Sequence, residues 1–187
     1  MPVGVLAIQG DYVEHIEMLR RCDPSLDIRE IRTPEELAEV DRVIVPGGES
    51  TTVGLLMERY GLGNALKQRA KQGMPIWGTC MGMIVMAHEI VGKEQYTLDL
   101  LDITVERNAF GAQVNSFEDE VSIEGLKEPV TGVFIRAPIV TRVGKGVQEL
   151  AKYHGKVVAV RHGNLIGTSF HPELTEDDRV HRWFLSL

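Results

Sequence analysis

The chain has 187 residues, of which 43% are hydrophobic and 25% charged, and its formal net charge at pH 7 is −7. Its length and composition predict one globular domain, residues 1–187, with a full hydrophobic core. The negative charge argues against a nucleic-acid-binding protein, which normally carries a basic face. No apolar run approaches the roughly 18 residues that a membrane-spanning helix needs.

The N-terminus and the cysteines indicate the cellular compartment. The first residues form a short apolar run without a basic leader or a cleavage site, which favours a core strand over a signal peptide. The two cysteines, Cys22 and Cys80, make no zinc pattern with the six histidines, because a zinc site needs closely spaced ligand pairs. We expect a cytoplasmic protein with reduced thiols, although a disulfide stays open at this point.

The first half of the chain alternates between strand-like and helical patterns. The apolar runs VGVLAI, RVIVPGG and PIWGT and the alternating run DIREIR predict four strands, and the helical stretches between them are YVEHIEMLRR, TPEELAEV, LLMERY and GNALKQRAKQ. Thr33, Pro34 and Glu36 form a capping signature at one helix start. MIVMAHEI, residues 83–90, predicts a further helix. This alternation is typical of a parallel sheet covered by helices on both faces.

The pattern changes after about residue 100, where strand-like runs follow one another closely. These runs are LDITVER, EDEVSIEG, VTGVFIRA, KVVAVRHG and LIGTSF, and DDRVHRWFLSL predicts a closing helix. The sequence therefore predicts an α/β fold: a three-layer, doubly wound, mostly parallel sheet, with antiparallel strands added in the C-terminal half.

Cys80 lies between Gly78 and Gly82, at the junction of a predicted strand and a predicted helix. This G-x-C-x-G spacing is that of a nucleophile elbow, in which small neighbours permit a sharp turn that presents the thiol. A helix N-terminus also favours the thiolate form of such a residue. An isolated cysteine is more often a small residue of the core, and the two glycines make the two interpretations of Cys80 about equal.

Two other segments follow predicted strands. In SFHPEL, His171 is the natural base for a thiol and Glu173 can hold its imidazole. An exposed histidine beside an exposed glutamate, with no catalytic role, would give the same sequence pattern. In VPGGEST, Gly47 and Gly48 let backbone amides face an oxyanion, although an ordinary turn would also fit. This segment lacks the spacing and the lysine of a phosphate-binding loop. Because catalytic residues gather at the carboxyl ends of parallel strands, we expect all three segments to meet.

With these motifs in place, the sequence resembles the class I (triad) glutamine amidotransferases, which have a flavodoxin-like fold. More narrowly, it resembles the glutaminase subunits of pyridoxal 5'-phosphate synthases. The resemblance covers essentially the whole chain and rests on AIQGDYVEH, PGGEST, GTCMGM, ERNAFGAQ, FIRAP and FHPE, in that order. Met81 departs from the family pattern, in which alanine is usual after the nucleophile.

The resemblance implies roles for individual residues. Cys80 would be the nucleophile, His171 the general base and acid, and Glu173 the residue that orients it. The amides of Gly48 and Met81 would form the oxyanion hole. The residues expected to hold glutamine are Gly48, Glu49, Ser50, Arg107, Ile135 and Arg136. Arginines suit this role because a guanidinium pairs with an α-carboxylate, although Arg107 and Arg136 could also be ordinary surface residues.

The resemblance also implies a reaction and a partner. The substrate would be L-glutamine, hydrolysed to L-glutamate and ammonia through a cysteine thioester, without a metal or an organic cofactor. Ammonia would pass to a pyridoxal 5'-phosphate synthase subunit in a large hetero-oligomer that makes vitamin B6. Two alternatives remain at this point: a cysteine hydrolase of the intracellular protease and deglycase type, and a catalytically silent interaction module.

Overall fold

The computed structural model describes residues 1–111 and 116–187, and a ten-stranded sheet forms the centre of the molecule. The strands in these two ranges are β1 (Val3–Leu6), β2 (Ile28–Ile31), β3 (Arg42–Val45), β4 (Ile76–Thr79), β5 (Ala87–Ile90), β6 (Leu101–Glu106), β7 (Ser116–Val121), β8 (Val130–Ile135), β9 (Ile139–Val143), β10 (Gln148–Tyr153), β11 (Lys156–His162) and β12 (Leu165–Thr168).

The helices lie mainly in the first half of the chain. Those in the described residues are α1 (Tyr12–Cys22), α2 (Pro34–Ala38), α3 (Ser50–Arg59), α4 (Leu62–Lys71), α5 (Met81–Met86) and α6 (Arg179–Leu185), with a 3₁₀ turn at Pro172–Leu174. The predicted capping box at α2 is present, since Thr33 and Glu36 each accept from the other's backbone N–H. No helix of the described ranges is long and apolar enough to cross a membrane.

The order of the strands confirms the predicted fold class. Strands β2, β1, β3, β4 and β12 lie side by side and run parallel. Strands β11, β9 and β6 continue the sheet with antiparallel pairing, and β5 closes it parallel to β6. Strand β10 pairs with β11. The carboxyl ends of β1, β3, β4 and β12 therefore meet at one edge.

Two hydrophobic cores cover the two faces of this sheet. Neighbouring strand residues alternate between them: Val43 and Val45 pack into one core, and Ile44 packs into the other. Helices α2, α3, α4 and α5 cover the first face, and α1 and α6 cover the second. This arrangement is the predicted three-layer architecture.

The structure departs from the sequence-based predictions in three places. The helix predicted over residues 83–90 ends at Met86, and Ala87–Ile90 forms β5, because periodicity in a short, mostly apolar run does not distinguish the two structures. The predicted extension of the sheet is wrong for β7 and β8, which form a separate antiparallel pair. Strands β9 and β10 were not predicted. Ala112 and Gln113, the end of the ERNAFGAQ block, lie outside the described residues.

Candidate active site

Cys80 occupies a strained turn between β4 and α5. Its φ is 49° and its ψ is −104°, a conformation that residues with a side chain rarely adopt. A Cβ added to Gly78 would lie 2.5 Å from the carbonyl carbon of Gly82, and one added to Gly82 would lie 2.0 Å from the carbonyl oxygen of Val45. The strand and the helix therefore approach so closely that only glycine fits, which is the geometry that the elbow spacing predicts.

The thiol of Cys80 is held between two other elements of the site. The backbone N–H of Cys80 donates to the carbonyl oxygen of Thr168, at the end of β12, over 2.7 Å. The sulfur lies 3.9 Å from the carbonyl oxygen of Ile135, the last residue of β8. Both cysteines of the chain are free thiols. Cys80 thus sits where β4, β8 and β12 end together.

His171 and Glu173 lie just beyond β12 and form a buried pair. The Nδ1 of His171 donates to Glu173 Oε1 over 2.7 Å, which leaves Nε2 for a second partner. Burial lowers the pKa of His171, but hydrogen bonds with Cys80 and Glu173 outweigh it and raise the pKa to about 11. Burial raises the pKa of Glu173, and His171 opposes that shift. The fold therefore supports a charged imidazole beside the thiol.

A cavity of about 360 Å³ opens over the thiol. Its lining contains every residue that the sequence predicts for glutamine binding and for the oxyanion hole. Glu173 lies behind His171, buried and away from the cavity. The predicted residues that line the cavity are Gly48, Glu49, Ser50, Cys80, Met81, Arg107, Ile135, Arg136 and His171.

The segment that follows β3 passes directly over the imidazole. A Cβ added to Gly47 would lie 2.5 Å from Cε1 of His171. The carbonyl oxygen of Gly47 accepts from the N–H of Asp11 over 3.1 Å, and the N–H of Glu49 donates to Gln9 Oε1 over 2.8 Å. The residues after β1 therefore fix the orientation of the Gly47–Gly48 peptide.

The cavity carries charges of both signs. The guanidinium Nη2 of Arg107 lies 4.0 Å from Glu49 Oε1. The Glu49 carboxylate also caps α3 by accepting from the N–H groups of Thr51 and Thr52 over 3.1 and 2.8 Å. Burial raises the pKa of Glu49, but these hydrogen bonds outweigh it and lower the pKa to about 2. Glu49 is therefore a permanent anion at neutral pH.

Backbone strain is concentrated around this cavity. Among the described residues, five that are not glycine have positive φ, and three of them line it. These three are Cys80, Asn108 at 52° and Arg136 at 43°. Such conformations persist only where the surrounding structure enforces them, and they are frequent at functional sites.

Sequence reasoning missed four further residues that line the cavity: Gln9, Asp11, Ile84 and Asn108. Gln9 and Asp11 directly follow β1, so the rule that located the other motifs at strand ends also points to them. Asp11 Oδ2 lies 3.5 Å from His171 Nδ1. No comparable signal marks Ile84, which belongs to the apolar run of α5.

Three side chains at this edge have metal-binding atoms close together. The ligand atoms of Asp11, His171 and Glu173 all lie within 4.8 Å of one another. The Nδ1 of His171, however, already donates to Glu173 and carries a proton where a metal would need a lone pair. This protonated nitrogen argues against a metal ion bound by these three side chains. That the site uses no metal stays a prediction.

Comparisons with known proteins agree with this geometry. The chain is 48% identical over 187 residues to "Pyridoxal 5'-phosphate synthase subunit PdxT" of Niallia circulans, covering 100% of this chain and 97% of the relative. It is 50% identical over 192 residues to the protein of that name from Roseiflexus sp. (strain RS-1), covering 100% of both. A crystal structure described as a glutamine amidotransferase has 49% identity and a TM-score of 0.93, covering 98% of this chain and 97% of the other. Residues 5–187 match the SNO glutamine amidotransferase family, and the chain belongs to that family.

Proposed function

We propose that this chain hydrolyses L-glutamine through a thioester on Cys80 and delivers the ammonia to a pyridoxal 5'-phosphate synthase subunit. The observation that carries the proposal is the convergence of Cys80 and the His171–Glu173 pair at one cavity. Family membership favours this glutaminase activity over the two alternatives, a protease-like cysteine hydrolase and a silent module.

The chemistry follows from the positions of the side chains. The Cys80 thiolate attacks the side-chain amide carbon of glutamine, and the N–H groups of Gly48 and Met81 receive the oxyanion. Met81 is the first residue of α5, so its N–H has no acceptor within the helix. His171 protonates the departing ammonia, which leaves a glutamyl thioester. A water molecule that gives its proton to His171 then releases glutamate and restores the thiolate.

Glutamine is recognised by its charged α-groups. Arg107 and Arg136 line the cavity and suit the α-carboxylate, because a guanidinium offers paired donors. Glu49, ionised at neutral pH, suits the α-ammonium group. Three other residues complete the pocket: Gly48, Ser50 and Ile135. A zwitterionic amino acid is therefore a better match than an uncharged amide.

The partner docks at the edge that carries the cavity. Two apolar residues next in sequence to this site are exposed: Val13, two residues after Asp11, is 48% exposed, and Leu174, directly after Glu173, is 40% exposed. A synthase bound there would shield ammonia from water, which would otherwise protonate it and remove its nucleophilicity. We place this complex, a large hetero-oligomer, in the cytoplasm.

Isotope transfer tests this proposal directly. Glutamine labelled with ¹⁵N in its side-chain amide is supplied to this chain and a synthase subunit, with a pentose phosphate and a triose phosphate. We expect ¹⁵N in the pyridoxal phosphate, and no transfer with Cys80→Ala. Excess unlabelled ammonium added to the solution should lower the ¹⁵N content of the pyridoxal phosphate only slightly, because the ammonia passes directly between the two proteins. Label in released ammonium but none in the product would contradict the proposed partner.

A further inference from the structure

A buried polar cluster lies behind the proposed catalytic pair. Oxygen Oε1 of Glu173 accepts from His171, whereas Oε2 is buried and has no hydrogen-bond partner in the described part of the chain. The Nε2 of His15, in α1, lies 3.5 Å from this second oxygen. Both side chains are completely shielded from solvent. A carboxylate in such a place needs a second donor, because an unpaired buried anion is costly.

His15 is in turn fixed by two neighbours. Its Nδ1 lies 2.9 Å from Nε2 of His181, in α6, and its Nε2 lies 3.1 Å from Oγ1 of Thr79 at the end of β4. Burial lowers the pKa of His15 far below its usual range and that of His181 to about 3. Both rings are therefore neutral at physiological pH, and each carries one proton.

The charge of Glu173 decides which nitrogen of His15 carries its proton. With the proton on Nδ1, a lone pair on Nε2 would face Glu173 Oε2, and the two would repel. With the proton on Nε2, its N–H lies between the carboxylate and the hydroxyl oxygen of Thr79, which accepts at 3.1 Å, and it attracts the carboxylate. Nδ1 then accepts from the Nε2–H of His181. His15 and His171 thus both direct an N–H toward the one carboxylate, while the N–H of His181 is directed toward His15.

We propose that His15 is a positioning residue of the glutaminase, whose Nε2–H holds the second oxygen of Glu173 while His181 fixes its tautomer. The inference rests on the proposed function, because it assigns Glu173 the role of orienting His171. At 3.5 Å the contact is long for a hydrogen bond. Contacts of this kind often shorten when an enzyme binds its substrate.

The groups around Glu173 give this role a pH signature. His171 and His15 face the carboxylate from the 3₁₀ turn and from α1, and Asp11 approaches the same imidazole from the loop before α1. Asp11 and burial both favour the protonated carboxyl. Removing the His15 donor should therefore let Glu173 take up a proton more easily. The acid limb of kcat should move to higher pH.

Two amides at position 15 form a matched pair of variants. In His15→Gln the amide nitrogen can occupy the place of Nε2 and donate to Glu173, whereas in His15→Asn it reaches only the place of Nδ1. We expect His15→Asn to lower kcat roughly tenfold with little change in KM, and to shift the acid limb upward. His15→Gln should restore much of the lost kcat. Assays are run with the synthase subunit, and thermal midpoints are measured for both variants.

The outcomes separate the possible failures. If both variants lose the same fraction of kcat, and that loss parallels the fall in their thermal midpoints, His15 has only a structural role. A wild-type kcat and acid limb in His15→Asn would also overturn the inference. Cys80→Ala is assayed beside them: if it is inactive, such results contradict His15 alone, whereas glutaminase activity in Cys80→Ala would overturn the proposed function itself.

The unmodified protein provides a test that needs no variant to fold. Long-range ¹H–¹⁵N NMR correlations of histidine-labelled wild-type protein report which ring nitrogen of His15 is protonated. We expect a neutral ring with the proton on Nε2 throughout the pH range of activity. A proton on Nδ1 would place a lone pair against Glu173 and overturn the inference.

Discussion

Glu173 orients His171 and does not itself move a proton in the proposed mechanism. Glu173→Gln should therefore lower kcat roughly tenfold or more while KM for glutamine stays close to the wild-type value, because the amide lacks the charge that supports the imidazolium. His171→Asn should cost more, on the order of 100- to 10,000-fold, because it removes the acid and base. Steady-state glutamate release measures both. Wild-type turnover in Glu173→Gln would make this carboxylate only a structural group.

Arg107 is expected to recognise the α-carboxylate and to leave the thiol unaffected. Arg107→Ala should raise KM roughly 10- to 100-fold, the usual effect of losing a hydrogen bond to a charged group. Alkylation of Cys80 by a small uncharged reagent should proceed at the wild-type rate. Arg142→Ala is the matched control, since Arg142 pairs with Asp102 on the surface and does not line the cavity. Equal loss of binding and of alkylation would instead indicate a folding defect.

Some of these residues could be predicted from the sequence and others could not. Cys80 is marked by two glycines at fixed offsets, and His171 by its place after a strand. His15 and His181 carry no such mark, because they lie 166 residues apart and meet only through the packing of α1 against α6. A contact of this range depends on the fold and not on local spacing.

The Gly47–Gly48 turn lies so close to His171 that it has no room for a side chain at Gly47. Gly47→Ala should abolish most glutaminase activity while the fold is retained, because the new Cβ would lie 2.5 Å from His171 Cε1 and displace the ring. Gly92→Ala is the control: unlike Gly47, Gly92 has a positive φ, of 66°, but no atom of the described chain lies within 4 Å of an added Cβ, so any effect there comes from backbone strain and not from a contact. Full activity in Gly47→Ala, with an unchanged thermal midpoint, would contradict this packing.

At the level of elements, sequence periodicity predicted the amphipathic helices and the parallel strands well. It failed at α5, because all six of its residues are buried and no polar face reveals where the helix ends. It also failed for β7 and β8, since alternation predicts a strand but not the sheet that it joins. The first error concerns the end of a helix and the second the choice of a neighbour in space, and local periodicity specifies neither.

For the whole molecule, the docking partner should control the rate. The carbonyl oxygen of the Gly47–Gly48 peptide accepts from Asp11, so turning the N–H of this peptide toward or away from the oxyanion requires that contact to change, and Gln9 holds the next peptide through the N–H of Glu49. We expect low glutaminase activity in the isolated chain and a higher rate when a synthase subunit fixes the productive orientation, a shift between accessible states. Glutamate release is compared with and without a stoichiometric synthase. Full activity of the isolated chain, unchanged by a synthase that binds, would contradict this switch.

The covalent intermediate on Cys80 tests the central claim most directly. The protein and its synthase subunit are mixed with glutamine, quenched in acid during turnover and examined by intact-mass and peptide-mapping mass spectrometry. We expect the mass of one glutamyl group added at Cys80, none at Cys22, and neither adduct nor glutamate release in Cys80→Ala. Cys22→Ala should behave as the wild type. Sustained glutamate release by Cys80→Ala, or a glutamyl group on Cys22 in place of Cys80, would contradict the assignment of Cys80 as the nucleophile.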